Sequence, residues 1–208
     1  SGLDEARRIL LRTGINRIHD IANTLLNSYR KNTTDHNQIA PIHVQSLVEN
    51  IISEKRVQYR HCNGIEMVNR IIGSTYNVFI EGKSSELKTC FSNLINNSVE
   101  AITPQRGRII LEIEANNNTV TLNIIDTGPG IPADILNQIG QRGYSFGKKE
   151  GNGLGVFHAK DVIERLNGTF KIHSSQESGT KIILSIPQIR APEWFANTLT
   201  LTPFSDIA

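Results

Sequence analysis

Apolar residues near the start of the chain fall at Leu11, Ile15, Ile18, Ala22, Leu25 and Tyr29, with spacings that alternate four and three. That alternation is the a/d seam of a coiled coil or helix bundle, and one helix cannot bury it alone. Residues 1–31 are therefore expected to form a helix that pairs with a partner helix. Residues 32–42 are polar, contain Pro41 and show no period, so they read as a linker. Val44, Leu47, Val48, Ile51 and Ile52 then fall on one face of a second helix. Two strand-like runs follow, Ile65–Ile71 and Tyr76–Ile80. The most regular helix spans residues 85–102, with Leu87, Cys90, Phe91, Leu94, Ile95, Ser98 and Ile102 on its buried face. A hairpin comes next: strand Arg108–Ala115, a turn at residues 116–118, and strand Thr119–Asp126, where Val120, Leu122 and Ile124 alternate inward. Residues 154–166 read as a helix ended by Asn167-Gly168, with the glycine expected in the left-handed cap. A final hairpin pairs Thr169–Ser174 with Thr180–Ile186.

This order predicts an α+β fold, a two-layer sandwich with helices on one face of a mixed, mostly antiparallel sheet. The expected divisions are 1–31, the pairing helix; 32–42, a linker; 43–188, the main domain; and 189–208, a tail or a linker to a further domain.

Composition narrows the function classes. The 208 residues carry a formal net charge of +2, and no basic run reaches five residues, so nucleic acid is not an expected partner. No stretch approaches the ~18 apolar residues of a membrane span, and no secretory leader is visible. The two cysteines, Cys62 and Cys90, lie far apart and fit no metal spacing, which suits a reducing, cytoplasmic setting. Ser1-Gly2 without a methionine has the look of an artificial start, so the chain is expected to be a fragment.

Four short segments carry candidate chemistry. The first is Asn93-Leu94-Ile95-Asn96-Asn97-Ser98-Val99-Glu100-Ala101. Asn93, Asn97 and Glu100 share a helix face, and asparagines inside a helix cost about half a kilocalorie each. The segment reads as a solvated face or as a source of an amide oxygen for Mg²⁺, a cation that wants oxygen ligands. The second is Asp126-Thr127-Gly128-Pro129-Gly130-Ile131, at the end of a strand. A buried carboxylate there needs a donor, such as the exocyclic amine of adenine, though Asp, Gly and Pro also make ordinary turns. The third is Gly151-Asn152-Gly153-Leu154-Gly155, which leads into a helix and so offers free amides to a phosphate. The long loop before it holds Arg142, Tyr144, Ser145, Phe146, Lys148 and Lys149, and loops of that length are lids or mobile segments. The fourth is Gly179-Thr180, which opens the last strand and reads as a plain hairpin turn or as the source of a threonine hydroxyl that reaches a base together with Asp126.

Taken in order, these segments resemble the ATP-binding superfamily of gyrase, heat-shock chaperone ATPases, histidine kinases and mismatch-repair ATPases. The resemblance runs from about residue 40 to 187. Asn93–Ala101 is similar to that family's N box, Asp126–Ile131 to its G1 box, Tyr144–Phe146 to its F-box region and Gly151–Gly155 to its G2 box. The resemblance implies ATP and Mg²⁺ as cofactors, Asn97 as the metal ligand, Asp126 as the reader of adenine and Gly153–Gly155 as the phosphate cradle. Glu100, Ala101, Gly128, Gly130, Ile131, Arg142, Tyr144, Ser145, Phe146, Lys148, Gly151, Leu154 and Thr180 complete the implied nucleotide site.

The branch follows from position 93. Hydrolysing branches have a glutamate there that activates water, whereas an asparagine accepts no proton at neutral pH. The chain therefore resembles the sensor histidine kinases, with Asn93 and Asn97 as catalytic residues. A response regulator or receiver domain is the implied partner, and a homodimer through the first helix is the implied assembly. That helix resembles the second helix of a histidine kinase dimerisation hairpin, so the acceptor histidine is expected upstream of Ser1. His19-Asp20-Ile21-Ala22-Asn23 also loosely matches an acceptor pattern, but His19 reads better as the flank of the helical seam. The alternatives are an ATPase of the same fold and a non-catalytic nucleotide-binding module.

Overall fold

The computed structural model describes residues 38–62, 64–103, 105–116, 118–144 and 153–195. The expected pairing helix with His19, and Ser145, Phe146, Lys148, Lys149, Gly151 and Asn152, lie outside the described residues.

The elements run β1 (Ala40–His43), α1 (Val44–Gln58), β2 (Ile65–Ile72), β3 (Phe79–Gly82), α2 (Ser84–Ile102), β4 (Gly107–Ala115), β5 (Thr119–Asp126), α3 (Ala133–Leu136), α4 (Gly155–Arg165), β6 (Thr169–Ser175) and β7 (Gly179–Pro187). Five strands form one sheet in the order β2-β4-β5-β7-β6. β2 runs parallel to β4, and the other three pairings are antiparallel. The fold is the expected α+β sandwich with a mixed, mostly antiparallel sheet.

Alternation places Leu111, Leu122, Ile124 and Leu184 toward the helices, where they are buried. They meet Leu47, Val48 and Ile51 of α1, Phe91, Leu94 and Ile95 of α2, and Ile163 of α4 in one continuous core. The stripe read along residues 85–102 is the buried face of α2. On the opposite sheet face a polar row crosses β2, β4 and β5. Arg70 pairs with Glu112 at 3.1 Å, and Asn123 Nδ2 donates to Glu112 Oε1 at 3.0 Å.

The structure departs from the sequence reading in four places. Residues 40–42, read as the end of a linker, belong to β1, which pairs antiparallel with β3 in a separate two-stranded sheet. Pro41 fits there because a two-stranded ribbon leaves strand edges without ladder bonds. β3 begins at Phe79 rather than Tyr76, because a turn with Val78 N–H bonded to Thr75 O precedes it. Val78 is buried all the same, so its apolar character mimicked a strand. The short helix α3 was not foreseen. At the end of α4, Asn167 takes the left-handed backbone (φ 57) in place of Gly168. Gly168 is needed for a different reason: a Cβ there would stand 2.6 Å from Ser185 O.

The tail was read as beginning at residue 189, and its first part packs on this domain. Ile189 N–H bonds to Phe79 O at 2.8 Å. The Phe195 ring meets Phe79 edge-on with centroids 4.9 Å apart and His43 at a tilt with centroids 5.4 Å apart.

Candidate functional site

The site assembles where α2, the end of β5, the start of β7 and the start of α4 converge. Asp126 is the last residue of β5, opposite Ile109 on one side and Thr180 on the other. Only 5% of it is exposed. Gly128 N–H donates to its Oδ1 at 2.9 Å and the Ser98 hydroxyl to its Oδ2 at 3.0 Å. Burial pushes the carboxyl above its ordinary pKa, and bonds from the Gly128 amide, the Ser98 hydroxyl and the Thr180 amide oppose that shift.

The glycines beside Asp126 answer to contact. A Cβ on Gly128 would lie 2.9 Å from Asp126 Oδ1 and 3.3 Å from the Ala101 methyl, which places Ala101 against the carboxylate turn. Gly130 has φ +74, and a side chain on it would overlap the Ser175 carbonyl. Gly179 has φ +79, and a side chain would overlap the Asp126 carbonyl. Both positions need a residue without Cβ.

The loop after Asp126 is latched to the β6–β7 hairpin. Ser174 Oγ accepts from Ile131 N–H at 2.8 Å and donates to Gly179 O at 2.8 Å. Its single proton is thus committed, so the Thr180 hydroxyl 3.1 Å away donates to it. The Thr180 oxygen consequently turns lone pairs, not a proton, toward the site. Glu177 N–H closes the latch on Pro129 O at 2.9 Å. An open groove of about 400 Å³ takes Ser174, Gly179 and Thr180 into its wall beside Leu136 and Ile172, a size that suits a small ligand.

Asn93 and Asn97 are half-buried on the side of α2 that faces α4. A Cβ on Gly155 would rest 3.6 Å from Asn93 Cβ and 3.8 Å from Asn97 Nδ2. Leu154 stands at the N-cap of α4 and makes no side-chain capping bond, so the helix begins beside the asparagines with first-turn amides that its cap residue does not satisfy. Gly153 (φ +59) presses on the backbone of Gly143 and Tyr144, where a Cβ would lie within 2.5 Å of three atoms. This brings Arg142 and Tyr144 to the start of α4. Glu100 is exposed one turn beyond Asn97. The third asparagine, Asn96, serves the scaffold: its Oδ1 accepts from Lys55 Nζ at 2.6 Å and Tyr59 Oη at 2.9 Å, tying α1 to α2.

Residues 82–190 match the family described as histidine kinase-, DNA gyrase B-, and HSP90-like ATPase. The chain belongs to that family. Among similar curated proteins of Bacillus subtilis (strain 168), Sporulation kinase B is 33% identical over 110 residues, 53% of this chain and 26% of that protein. Sporulation kinase A is 34% identical over 111 residues, 53% of this chain and 18% of its own length. The chain thus spans about a quarter or less of those relatives. Among solved structures, the catalytic domain of histidine kinase ThkA, in a nucleotide-free form, superposes with a TM-score of 0.63 at 21% identity, covering 73% of this chain and 98% of that one. Full-length ShkA in complex with AMPPNP gives 0.66 at 19% identity, covering 92% of this chain and 41% of that one. At such identities the likeness establishes the fold.

The match to this ATPase family spans every described site residue from Asn93 to Thr180 and leaves α1 outside. Among the described residues, no group of three or more His, Cys, Asp or Glu side chains could hold a metal ion. The donors beside α4 are neutral amides. Such a set fits Mg²⁺ that arrives already coordinated to phosphate oxygens, because the phosphates bring the negative charge that the side chains lack. Among the described residues no helix is long and apolar enough to cross a membrane. Two residues that the sequence reading did not assign to the site, Ser98 and Ser174, hold its polar framework.

Proposed function

We propose that this chain is the ATP-binding catalytic part of a two-component sensor histidine kinase, which transfers the γ-phosphate of ATP to a histidine. The observation that carries this reading is the half-buried Asn93–Asn97 pair against the uncapped start of α4, with no carboxylate at position 93. An amide cannot take a proton from water, so a phosphoryl group held there is kept for another acceptor. Family membership and the kinase names of the relatives support the same choice.

In this reading Asp126 accepts the exocyclic amine of adenine, and Gly128, Gly130 and Ile131 form the turn that holds the carboxylate in place against the base. The amides of Gly153–Gly155, where the chain enters α4, and the cations Arg142 and Lys148 would hold phosphate oxygens, and Asn97 would supply an oxygen to Mg²⁺. When bound, Mg²⁺ neutralises phosphate charge. Phosphoryl transfer needs little from the protein beyond positioning and such neutralisation. Guanine would set a carbonyl oxygen against the Asp126 carboxylate, and a site built for one hydrogen-bond partner rejects its absence by ~10⁴ or more. Thr180, Tyr144, Leu154, Glu100 and Ala101 contribute to the remainder, and Ser145, Phe146 and Gly151, which lie outside the described residues, belong to the same site by the family resemblance. The parent protein is a homodimer through residues 1–31, acts on a response regulator or receiver domain, and presents this part in the cytoplasm.

The test is incubation of the 208-residue chain with Mg²⁺ and γ-labelled ATP. ATP bound without label on the chain, with label appearing on a separately supplied dimerisation hairpin, is the expected result. Acid-labile label at His19 would place the acceptor within the chain. Steady phosphate release with no transfer would make the protein an ATPase and overturn the kinase reading.

A further inference from the structure

Among the buried positions of α2, Ser98 alone carries a hydroxyl. It is 3% exposed and stands in the apolar stripe between Ile95 and Ile102. Alanine would suit that place better on helix propensity and would bring no polar atom needing a partner. The hydroxyl has one specific use: it donates to Asp126 Oδ2 at 3.0 Å. The other carboxylate oxygen accepts from Gly128 N–H. The Thr180 amide is a third donor to the group, so of the four acceptor positions on the two oxygens one is left for a ligand donor, and rotation of the carboxylate is blocked.

We propose that Ser98 is a positioning residue for base recognition, holding Asp126 in a single rotamer and in the ionised form so that it meets an incoming amine purely as an acceptor. The inference rests on the reading of Asp126 as the adenine contact. A protonated Asp126 would keep only its carbonyl oxygen as an acceptor and lose the charge that strengthens a bond from the amine. Burial drives the carboxyl toward that neutral form, and the hydroxyl works against it. The groups that face Asp126 are uncharged: Ser98 and Ala101 from α2, Ile109 from β4, Thr180 from β7 and Gly128 from the following turn. Glu100 is solvent-exposed on α2. No charge stands among those neighbours to replace the Ser98 donor, so its removal should be felt directly in the protonation of Asp126.

ADP is the probe, since no phosphoryl group can then be transferred. Its affinity for the full chain is measured by calorimetry from mildly acidic to mildly alkaline pH, for wild type, Ser98→Ala, Ser98→Cys and Asp126→Ala, with thermal unfolding of each as a folding control. Phosphate ionisation acts equally on all four, so differences report on the base contact. Ser98→Ala is expected to bind ADP about tenfold more weakly at neutral pH, and the pH below which its affinity falls moves upward. Ser98→Cys, nearly isosteric but a weaker donor, falls between, and it carries the test should the alanine variant unfold. Ser98 variants that bind like wild type with the pH profile unmoved, while Asp126→Ala loses affinity, would overturn the proposal. Wild-type affinity in Asp126→Ala would instead remove the adenine reading and this inference with it.

Discussion

Asp126 is buried to 5% exposure among uncharged neighbours and holds three hydrogen bonds. Replacing it by alanine removes a charged acceptor from the proposed amine contact, and ATP binding is expected to weaken by roughly 2–3 kcal/mol, read by calorimetry. The same burial has a cost without ligand. The folded-state pKa is raised above the ordinary 3.8, so between the two values the folded chain binds more protons than the unfolded one. Stability therefore falls as pH rises through that window, and below the unfolded value the cost vanishes. Denaturant melts of nucleotide-free Asp126→Asn at a series of pH values are expected to lack that decline. Asn97 makes the second residue-scale prediction. Asn97→Ala should abolish the part of nucleotide affinity that depends on Mg²⁺, measured with and without chelator, whereas unchanged dependence would move the metal elsewhere. Asp126 and Asn97 stand out in the sequence as candidates because unusual residue types occupy unusual places. Ser98 was visible only as a member of a helix face, since nothing in a one-dimensional pattern says that a buried hydroxyl 28 residues upstream meets a carboxylate.

Elements explain why the loops hold their shape. The turn after β5 and the β6–β7 hairpin lock together through Ser174, Gly130 and Gly179. Gly179→Ala forces both a positive φ and an overlap with the Asp126 carbonyl. It is expected to destabilise the domain by about 2 kcal/mol or more, and to displace Asp126 enough to lose nucleotide binding. Denaturant melts and calorimetry on the same variant test both halves. At the end of α4 the roles of two residues are exchanged relative to the sequence reading. Asn167 tolerates the left-handed backbone because asparagine is among the side chains that visit it, while Gly168 answers to the Ser185 carbonyl. Both Gly168→Ala and Asn167→Gly separate these roles. The first should destabilise, and the second should be close to neutral or better in a thermal melt. Strand β1 escaped because four residues with a proline carry no periodic signal, and its pairing with β3 is a long-range event.

At the scale of the whole molecule, one core joins the five-stranded sheet to α1, α2 and α4, and the segment 189–195 is fastened to the β1–β3 ribbon. Phe195→Ala removes the tilted and edge-on ring contacts with His43, Tyr76 and Phe79. It is expected to lower stability by about 1 kcal/mol with ATP affinity unchanged, because that ribbon contributes no residue to the proposed site. A large loss of affinity would show that the tail supports the site after all. The sequence by itself determined the class of fold, the span of α2, the β4–β5 and β6–β7 hairpins and the order of the four chemical segments. Those features rest on periodicity and local turn chemistry, which act over a few neighbouring residues. Only the tertiary structure decided that β2 lies parallel beside β4, that Asn96 braces α1 while Asn93 and Asn97 face α4, and that Ser98 and Ser174 bind the site together. These depend on which surfaces meet once the core closes, and burial turns each such meeting into a hydrogen bond that must be made.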